Sequence, residues 1–218
     1  MGKLLERFES EHEMEAQQHA LRDIVYSQDD AAGPGLLKIA SRTKDVQTKT
    51  LAIIGLGELE FHEAAPLIVS SLRDDNRDVR EVSAGALCHI KDPSSIPPLI
   101  EALKDERDND VVTWIANALA VQGGKAAIPA LKSRANDGPT QTRMNVIGAI
   151  GALGSRDEIP YLATFLDDRD IWVALSVARR IEETIGERFE SCGKDPCTIE
   201  ERIQKVKDWW QAHRSTWK

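Results

Sequence analysis

The sequence is poor in aromatic residues, in cysteine and in long apolar runs. Aromatic residues make up 5% of the 218 residues, and there are three cysteines. No stretch approaches the roughly 18–20 consecutive apolar residues that span a bilayer. The start of the chain is quickly acidic and lacks a secretory apolar segment. We therefore expect a soluble, cytoplasmic protein with an aliphatic core.

Positive charge is also scarce. The chain has 28 Lys and Arg residues against 36 Asp and Glu residues, which gives a net charge of −8. Sequence-independent nucleic-acid binding depends on clustered cations facing the phosphates. The basic residues near the C-terminus are instead interleaved with acidic ones. We expect a partner that is neither nucleic acid nor membrane.

A repeat is the strongest feature present. Proline recurs at spacings of 32, 31, 32 and 31 residues, at Pro34, Pro66, Pro97, Pro129 and Pro160. A period near 31 accommodates two short helices and indicates a stacked helical solenoid. We predict an all-α, right-handed α-α superhelix of five to six helical hairpins, continuous over residues 1–218. Residues 1–14 would form an N-terminal cap segment, 15–186 the repeats, and 187–218 a C-terminal loop and capping helix.

Both helices of each predicted hairpin carry an apolar stripe. The second helix begins at the marker proline, which the first helical turn tolerates because its N–H has no intrahelical partner there. Two residues later stand Leu36, Ile68, Leu99, Leu131 and Leu162. The first helix has a small residue at one column, namely Gly55, Ala86, Ala118, Ala149 and Ala178, and seven residues earlier stand Thr48, Val79, Val111, Thr142 and Ile171. These columns predict one core shared by successive hairpins.

An acidic residue recurs eight residues after four of the prolines, at Asp74, Asp105, Asp137 and Asp168. Arg80 and Arg143 follow two of them by six residues. Such an arginine can pair with the same or a neighbouring carboxylate near the start of a helix. We assign these charges to stacking of the repeats and not to catalysis.

The repeat resembles the HEAT-like repeats of the phycobilin lyase type. Matching stretches are Asp78-Val79-Arg80, Ala86-Leu87, Ile96-Pro97-Pro98-Leu99, Ala149-Ile150-Gly151-Ala152-Leu153-Gly154 and Ile159-Pro160-Tyr161-Leu162. The resemblance covers roughly residues 15–186 and implies the solenoid fold. Its function is open, because the family includes lyases, hydroxylases, DNA-repair proteins and adaptors. Val112 and Trp172 stand where the family favours arginine.

No catalytic, metal or cofactor site is predicted. The related deoxyhypusine hydroxylases use repeated His-Glu pairs to hold iron, whereas this chain has only His12-Glu13 in the N-terminal cap and His62-Glu63 in a turn. Cys88 is expected to be a small buried core residue. Cys192 and Cys197 are expected to be free loop thiols, with a disulfide as the alternative.

The resemblance implies that the second helices line a concave binding surface. One residue after each proline the exposed column would hold Leu67, Pro98, Ala130 and Tyr161, and four residues after it Lys38, Ser70, Glu101, Ser133 and Thr164. Such a surface is nearly neutral and mildly apolar, which suits a protein segment. Trp114 and Trp172 are further candidate contacts. We predict a non-catalytic protein-binding scaffold or adaptor; the alternatives are a phycobilin lyase subunit and a bacterial immunity or inhibitor protein that binds a toxin.

Overall fold

The computed structural model describes residues 2–10, 14–27, 29–192 and 195–217, and it is helical apart from one pair of two-residue strands. The chain divides into two compact units, Met1–Gly123 and Gly124–Lys218, which are described separately below. His12-Glu13 lies outside the described residues.

The described residues of the first unit form eight α-helices, with short 3₁₀ turns before α3, α5 and α7: α1 (Gly2–Ser10), α2 (Met14–Tyr26), α3 (Gly33–Arg42), α4 (Val46–Glu58), α5 (Ala65–Ser71), α6 (Arg77–His89), α7 (Ile96–Asp105) and α8 (Asn109–Gln122). Helix α4 packs against α6, and α6 against α8. The shorter helices α3, α5 and α7 pack against α4, α6 and α8 respectively. This is the helical-hairpin repeat that the proline period predicts.

The second unit continues the alternation with α9 (Ile128–Arg134), α10 (Thr140–Gly154), α11 (Ile159–Leu162), which runs into a 3₁₀ helix (Ala163–Asp167), and α12 (Ile171–Ile185). Strands β1 (Ser191–Cys192) and β2 (Asp195–Pro196) pair antiparallel before α13 (Ile199–His213). The all-α fold class predicted from the sequence is confirmed.

Each marker proline lies in the first turn of a second helix. Pro34, Pro66, Pro97, Pro129 and Pro160 occupy the first or second position of α3, α5, α7, α9 and α11. The apolar residues two positions later are fully buried, at 0% exposure in all five helices. The sequence therefore placed the start and the inward face of every second helix correctly.

The small residues on the first helices allow close packing of backbones. Gly55, Ala86, Ala118, Ala149 and Ala178 are all buried. Gly57 is a close contact of α4 with α6, because a Cβ at this position would lie 2.9 Å from the Cα of Ala86. The two helix axes approach one another at a point where only glycine fits.

Helix α12 is the last of the first helices, and its register differs from the sequence prediction by two residues. Ile171 was expected in the core but is 36% exposed, whereas Val173 is fully buried. Helix N-caps set the true register, because the buried residue lies three positions after the cap: Thr48 after Asp45, Val79 after Asn76, Val111 after Asp108 and Val173 after Asp170. Ile171 and Val173 are both β-branched and apolar, so hydrophobicity alone could not separate them. By the same rule Trp172 shares the column of Asp78 and Asp110, and its assignment to the arginine column was wrong.

Cys192 and Cys197 form a disulfide, so the expectation of free loop thiols was wrong and the alternative holds. Their Cα atoms are 4.9 Å apart. The strands β1 and β2 bring them together, and the Cys197 N–H donates to the Glu190 carbonyl at 2.9 Å. The earlier interpretation rested on the expected compartment, whereas the local hairpin decides the distance between the two sulfurs.

Helix α13 closes the second unit, as its sequence predicts. Thr198 and Glu201 form a reciprocal capping box at its start. Ile203 and Val206 are buried where α13 packs against α12. Arg202 donates to both carboxylate oxygens of Glu182, a residue of α12 that is 2% exposed.

Candidate functional site

The predicted second-helix column is partly exposed in both units. In the first unit Leu67 and Pro98 are half-buried, while Lys38, Ser70 and Glu101 are exposed. In the second unit Tyr161 is half-buried, and Ser133 and Thr164 are exposed. Ala130 is 9% exposed and contributes little surface. The exposed apolar part of the column is thus Leu67 and Pro98 in one unit and Tyr161 in the other.

The hydroxyl groups of this column are bonded to their own helices. Ser70 donates to the Leu67 carbonyl, Ser133 to that of Ala130, and Thr164 to that of Tyr161, each at 2.7 Å. Glu101 is paired with Lys104 at 2.6 Å on the same helix. Because these polar groups already have partners, the surface offers mainly shape and apolar area.

Tyr161 is held in a fixed position. Its hydroxyl donates to the Lys132 carbonyl at 3.1 Å, and the Lys132 ammonium lies 4.7 Å from the ring centroid. The ring packs edge-on against Phe165 with centroids 5.4 Å apart. Burial and the nearby Glu158 carboxylate raise the pKa of the phenol, which stays neutral. The hydroxyl that we expected to orient a partner already has an acceptor within the unit.

Ion pairs join neighbouring hairpins at the turn between the second helix and the next first helix. Lys49 pairs with Asp74, Arg80 with Glu106, and Arg143 with Asp168. The stacking role assigned to Arg80 and Arg143 is therefore supported, and the structure identifies Glu106 as the carboxylate that receives Arg80. Val112 occupies the equivalent position in α8, where it is buried and supplies no cation.

Two clefts with equivalent positions in the repeat lie beside these pairs. The first unit has a cleft of about 480 Å³ lined by Leu72, Arg73, Arg80, Ala102, Asp105, Glu106 and Arg107. The second has one of about 460 Å³ lined by Asn136, Arg143, Tyr161, Thr164, Phe165, Asp167, Asp168 and Arg169. Sequence reasoning singled out Tyr161 and Thr164 but not Asn136 or Arg169, because exposed polar residues in turns carry no periodic signal.

Trp114 lies in an apolar groove on the first helices of the first unit. The groove holds about 240 Å³ and includes Ile54, Val82 and Gly85 from α4 and α6. Trp114 is 39% exposed and Trp172, in the other unit, is 55% exposed. Both tryptophans are accessible, as expected for the second group of candidate contacts.

The described residues offer no arrangement for metal chemistry. Among them, no three His, Cys, Asp or Glu side chains are grouped to hold an ion. Cys88 is the free cysteine, and burial raises the pKa of its thiol to about 11, so it is protonated at neutral pH. Of the helices that are described, none has the length and apolar character needed to cross a bilayer.

Comparison with known proteins identifies the repeat. Residues 33–120 match the family of HEAT repeats. No curated protein matches the chain. Among solved structures, the complex of CpcE and CpcF of phycocyanin lyase from Nostoc sp. PCC7120 is similar with a TM-score of 0.63 at 15% identity, over 94% of this chain and 92% of that chain.

Designed proteins share the same architecture. Computationally designed armadillo repeat proteins for modular peptide recognition match with a TM-score of 0.64 at 15% identity, over 83% of this chain and 98% of theirs. An engineered protein matches with a TM-score of 0.59 at 18% identity, over 84% and 96% of the two chains. At these identities the likeness concerns the fold. Residues 33–120 match the HEAT-repeat family, and the fold over most of the chain is that of helical repeat proteins.

Proposed function

We propose that this protein is a non-catalytic scaffold that binds another protein through the second-helix column of each unit. The observation that carries the proposal is the chemistry of these columns, which contain Leu67 and Pro98 in the first unit and Tyr161 in the second, with the neighbouring hydroxyls. Their polar groups are bonded within their own helices, and their apolar groups remain half-exposed. Such a surface gains affinity from buried area and shape.

Tyr161 is the proposed anchor for the partner. Contacts with Lys132 and Phe165 fix its ring before binding, so little side-chain entropy is lost when a partner covers it. Tyrosine is also enriched among the residues that dominate binding energy. The designed repeat proteins with the same fold are described as made for peptide recognition, which agrees with a protein or peptide ligand here.

The alternatives have less support. A phycobilin lyase subunit has the shared fold in its favour, but 15% identity carries no activity from one chain to the other. An immunity or inhibitor protein has only the net charge of −8 in its favour. Neither alternative is supported by particular residues of this chain, so we prefer the scaffold.

The test is a partner capture followed by affinity measurement with purified components. The double variant Tyr161→Ala with Leu67→Glu should bind the captured partner at least about 30-fold more weakly, since truncating a central anchor costs about 2 kcal/mol or more. Binding should depend weakly on salt because the contact is mainly apolar. Circular dichroism should be unchanged.

The control variant is Trp114→Ser, which changes an exposed aromatic residue on the first helices. It should bind the partner like the unmodified protein. If the double variant folds and binds with unchanged affinity while Trp114→Ser loses the partner, the site is the Trp114 groove and the proposed column is wrong.

A further inference from the structure

The cleft beside Tyr161 contains a buried arginine that is incompletely bonded. Arg143 is 4% exposed and pairs with Asp168 through Nη2. Its Nε is buried and has no hydrogen-bond partner among the described residues. A buried guanidinium N–H without an acceptor is costly, so native structures rarely leave one unpaired.

The equivalent arginine in the first unit, Arg80, makes the hydrogen bond from Nε that Arg143 lacks. Arg80 donates Nε to Glu106 at 2.7 Å and Nη2 to the second oxygen of the same carboxylate at 3.1 Å. Its Nη1 donates to the carbonyls of Asp74 and Asp75 at 3.1 and 3.2 Å. This bidentate arrangement is the geometry that guanidinium and carboxylate favour. Arg143 makes the hydrogen bond from Nη2 but, among the described residues, lacks the one from Nε.

The repeat register explains the difference. Glu106 stands nine residues after Pro97, and the residue nine positions after Pro160 is Arg169. The second unit therefore has a cation where the first unit has its carboxylate. Arg169 is exposed, lines the cleft, and forms no ion pair with a residue that the structure describes. The acceptor inside the repeat has been exchanged for a second donor.

The other charges of the cleft are already neutralised. Asp168 accepts from Arg143, and Asp167 pairs with Lys207 at 2.6 Å. Asn136, Tyr161, Thr164 and Phe165 complete the lining without adding charge. The cleft therefore favours an anionic hydrogen-bond acceptor, although the net charge of the whole chain is −8.

We propose that this cleft binds the side-chain carboxylate of an Asp or Glu in the partner, seated between Arg143 and Arg169 and beside Tyr161. The inference rests on the proposed function, because it assigns the chemistry of the segment that covers Tyr161. The carboxylate would take the place that Glu106 fills in the first unit. Tyr161 supplies apolar contact, and the two guanidinium groups select for negative charge.

The test is a titration followed by the arginine Nε–H resonances in a ¹H–¹⁵N NMR spectrum. The probe is N-acetylglutamate amide, and N-acetylglutamine amide is the neutral control of the same shape. Arg143 should shift in a saturable way with the glutamate probe and not with the glutamine probe. Arg80 serves as the internal control and should not move, because Glu106 already occupies its Nε.

The variant Arg169→Gln removes the exposed cation without changing a buried group. It should weaken binding of the glutamate probe by about tenfold, the effect of losing one charge-assisted hydrogen bond. Absence of a saturable shift at Arg143, or an equal response to the glutamine probe, would overturn the proposal. So would tighter binding of inorganic phosphate than of the glutamate probe, which would mean a phosphate site.

The outcomes separate this inference from the proposed function. If the Arg143 Nε–H resonance does not shift with the glutamate probe while Tyr161→Ala with Leu67→Glu still loses the partner, the column binds a partner without using a carboxylate. If Arg143 responds to the probe while the double variant keeps the partner, the cleft binds carboxylates and the second-helix column is not the protein-binding site.

Discussion

At the scale of single residues, the ion pairs at the hairpin turns have clear electrostatic consequences. Glu106 is 8% exposed and accepts hydrogen bonds from Arg80 Nε and Nη2 and from the backbone N–H groups of Arg107 and Asp108. Burial acts to raise its pKa, but these donors outweigh burial and hold the pKa below its ordinary value. The carboxylate is therefore ionised in the folded protein at all but strongly acidic pH.

The lowered pKa of Glu106 predicts a pH dependence of stability. A carboxyl whose pKa is lower in the folded than in the unfolded chain stabilises the fold fully above the unfolded pKa, about 4.3 for Glu. That contribution is lost as the pH falls through the folded value. Glu106→Gln should remove this part of the acid dependence and should lower the free energy of unfolding at pH 7 by about 1–3 kcal/mol. Urea unfolding at a series of pH values measures both effects.

Glu101→Gln is the matched control for that experiment. Glu101 is exposed and pairs with an exposed lysine on its own helix. Its replacement should change the pH profile much less, because solvent screens such a pair. Equal acid dependence of the two variants would show that Glu106 does not have the special environment described above.

At the scale of helices, the close contact of α4 with α6 depends on a missing side chain. A Cβ at Gly57 would meet the Cα and Cβ of Ala86 at 2.9 Å, and a backbone atom cannot rotate away. Gly148, in α10, also lies inside a helix, but a Cβ there would meet nothing within 4 Å. Substitutions at the two glycines therefore distinguish the effect of helix packing on stability from the effect of helix propensity.

Alanine at these two glycines should have opposite effects. Gly57→Ala should destabilise the protein by about 1–3 kcal/mol, because the clash forces α4 and α6 apart. Gly148→Ala should be neutral or stabilising by up to about 1 kcal/mol, because alanine is the better helix former. Denaturant unfolding measures both changes. A stabilising Gly57→Ala variant would contradict the close approach of the two helices.

At the scale of the molecule, each unit needs its terminal layer covered. In the second unit α13 covers α12, where Ile203 and Val206 are buried and Arg202 pairs with the buried Glu182. Repeat proteins generally require such a cap, because the last hairpin has no neighbour on one side. Removing the cap exposes apolar surface and leaves Glu182 without the cation that neutralises it.

Deletion of residues 187–218 should therefore lower the thermal midpoint and promote aggregation. The loss of Ile203 and Val206 from the core should cost at least about 3 kcal/mol, from roughly 1.5–3 kcal/mol for each buried aliphatic side chain. Thermal unfolding and size-exclusion chromatography with light scattering are the measurements. Replacing the exposed Gln204 and Gln211 by alanine should change neither. A soluble, monomeric deletion variant with an unchanged midpoint would show that α13 is not a cap.

Periodicity explains how much of this structure could be predicted. The proline period, the buried residue two positions later and the small column of the first helices all follow from local rules of helix starts and helix faces. The same signals misplaced α12, because Ile171 and Val173 are equally apolar and two residues apart. There the N-cap Asp170, whose side chain accepts from the Trp172 N–H, fixes the register.

The proposed binding site could be predicted from the sequence only in part, because periodicity gives the positions of residues but not their contacts. The column of Leu67, Pro98 and Tyr161 follows from the proline register, so its residues could be named from the sequence. The sequence could not show that Tyr161 already bonds Lys132, nor that Ala130 is buried, because both depend on the neighbouring hairpin. Their burial and bonding are decided by contacts between residues about 30 positions apart.

The sequence by itself determined the repeat, the helical hairpins and the acidic, aliphatic character of this protein, because each depends on composition or on spacing within a helix. Only the tertiary structure decided the disulfide between Cys192 and Cys197, the choice of Glu106 as the acceptor for Arg80, and the unbonded Nε of Arg143. These depend on distances between atoms of different elements. Repeat periodicity places the residues in equivalent positions, but side-chain geometry decides which donors are satisfied and which remain available to a partner.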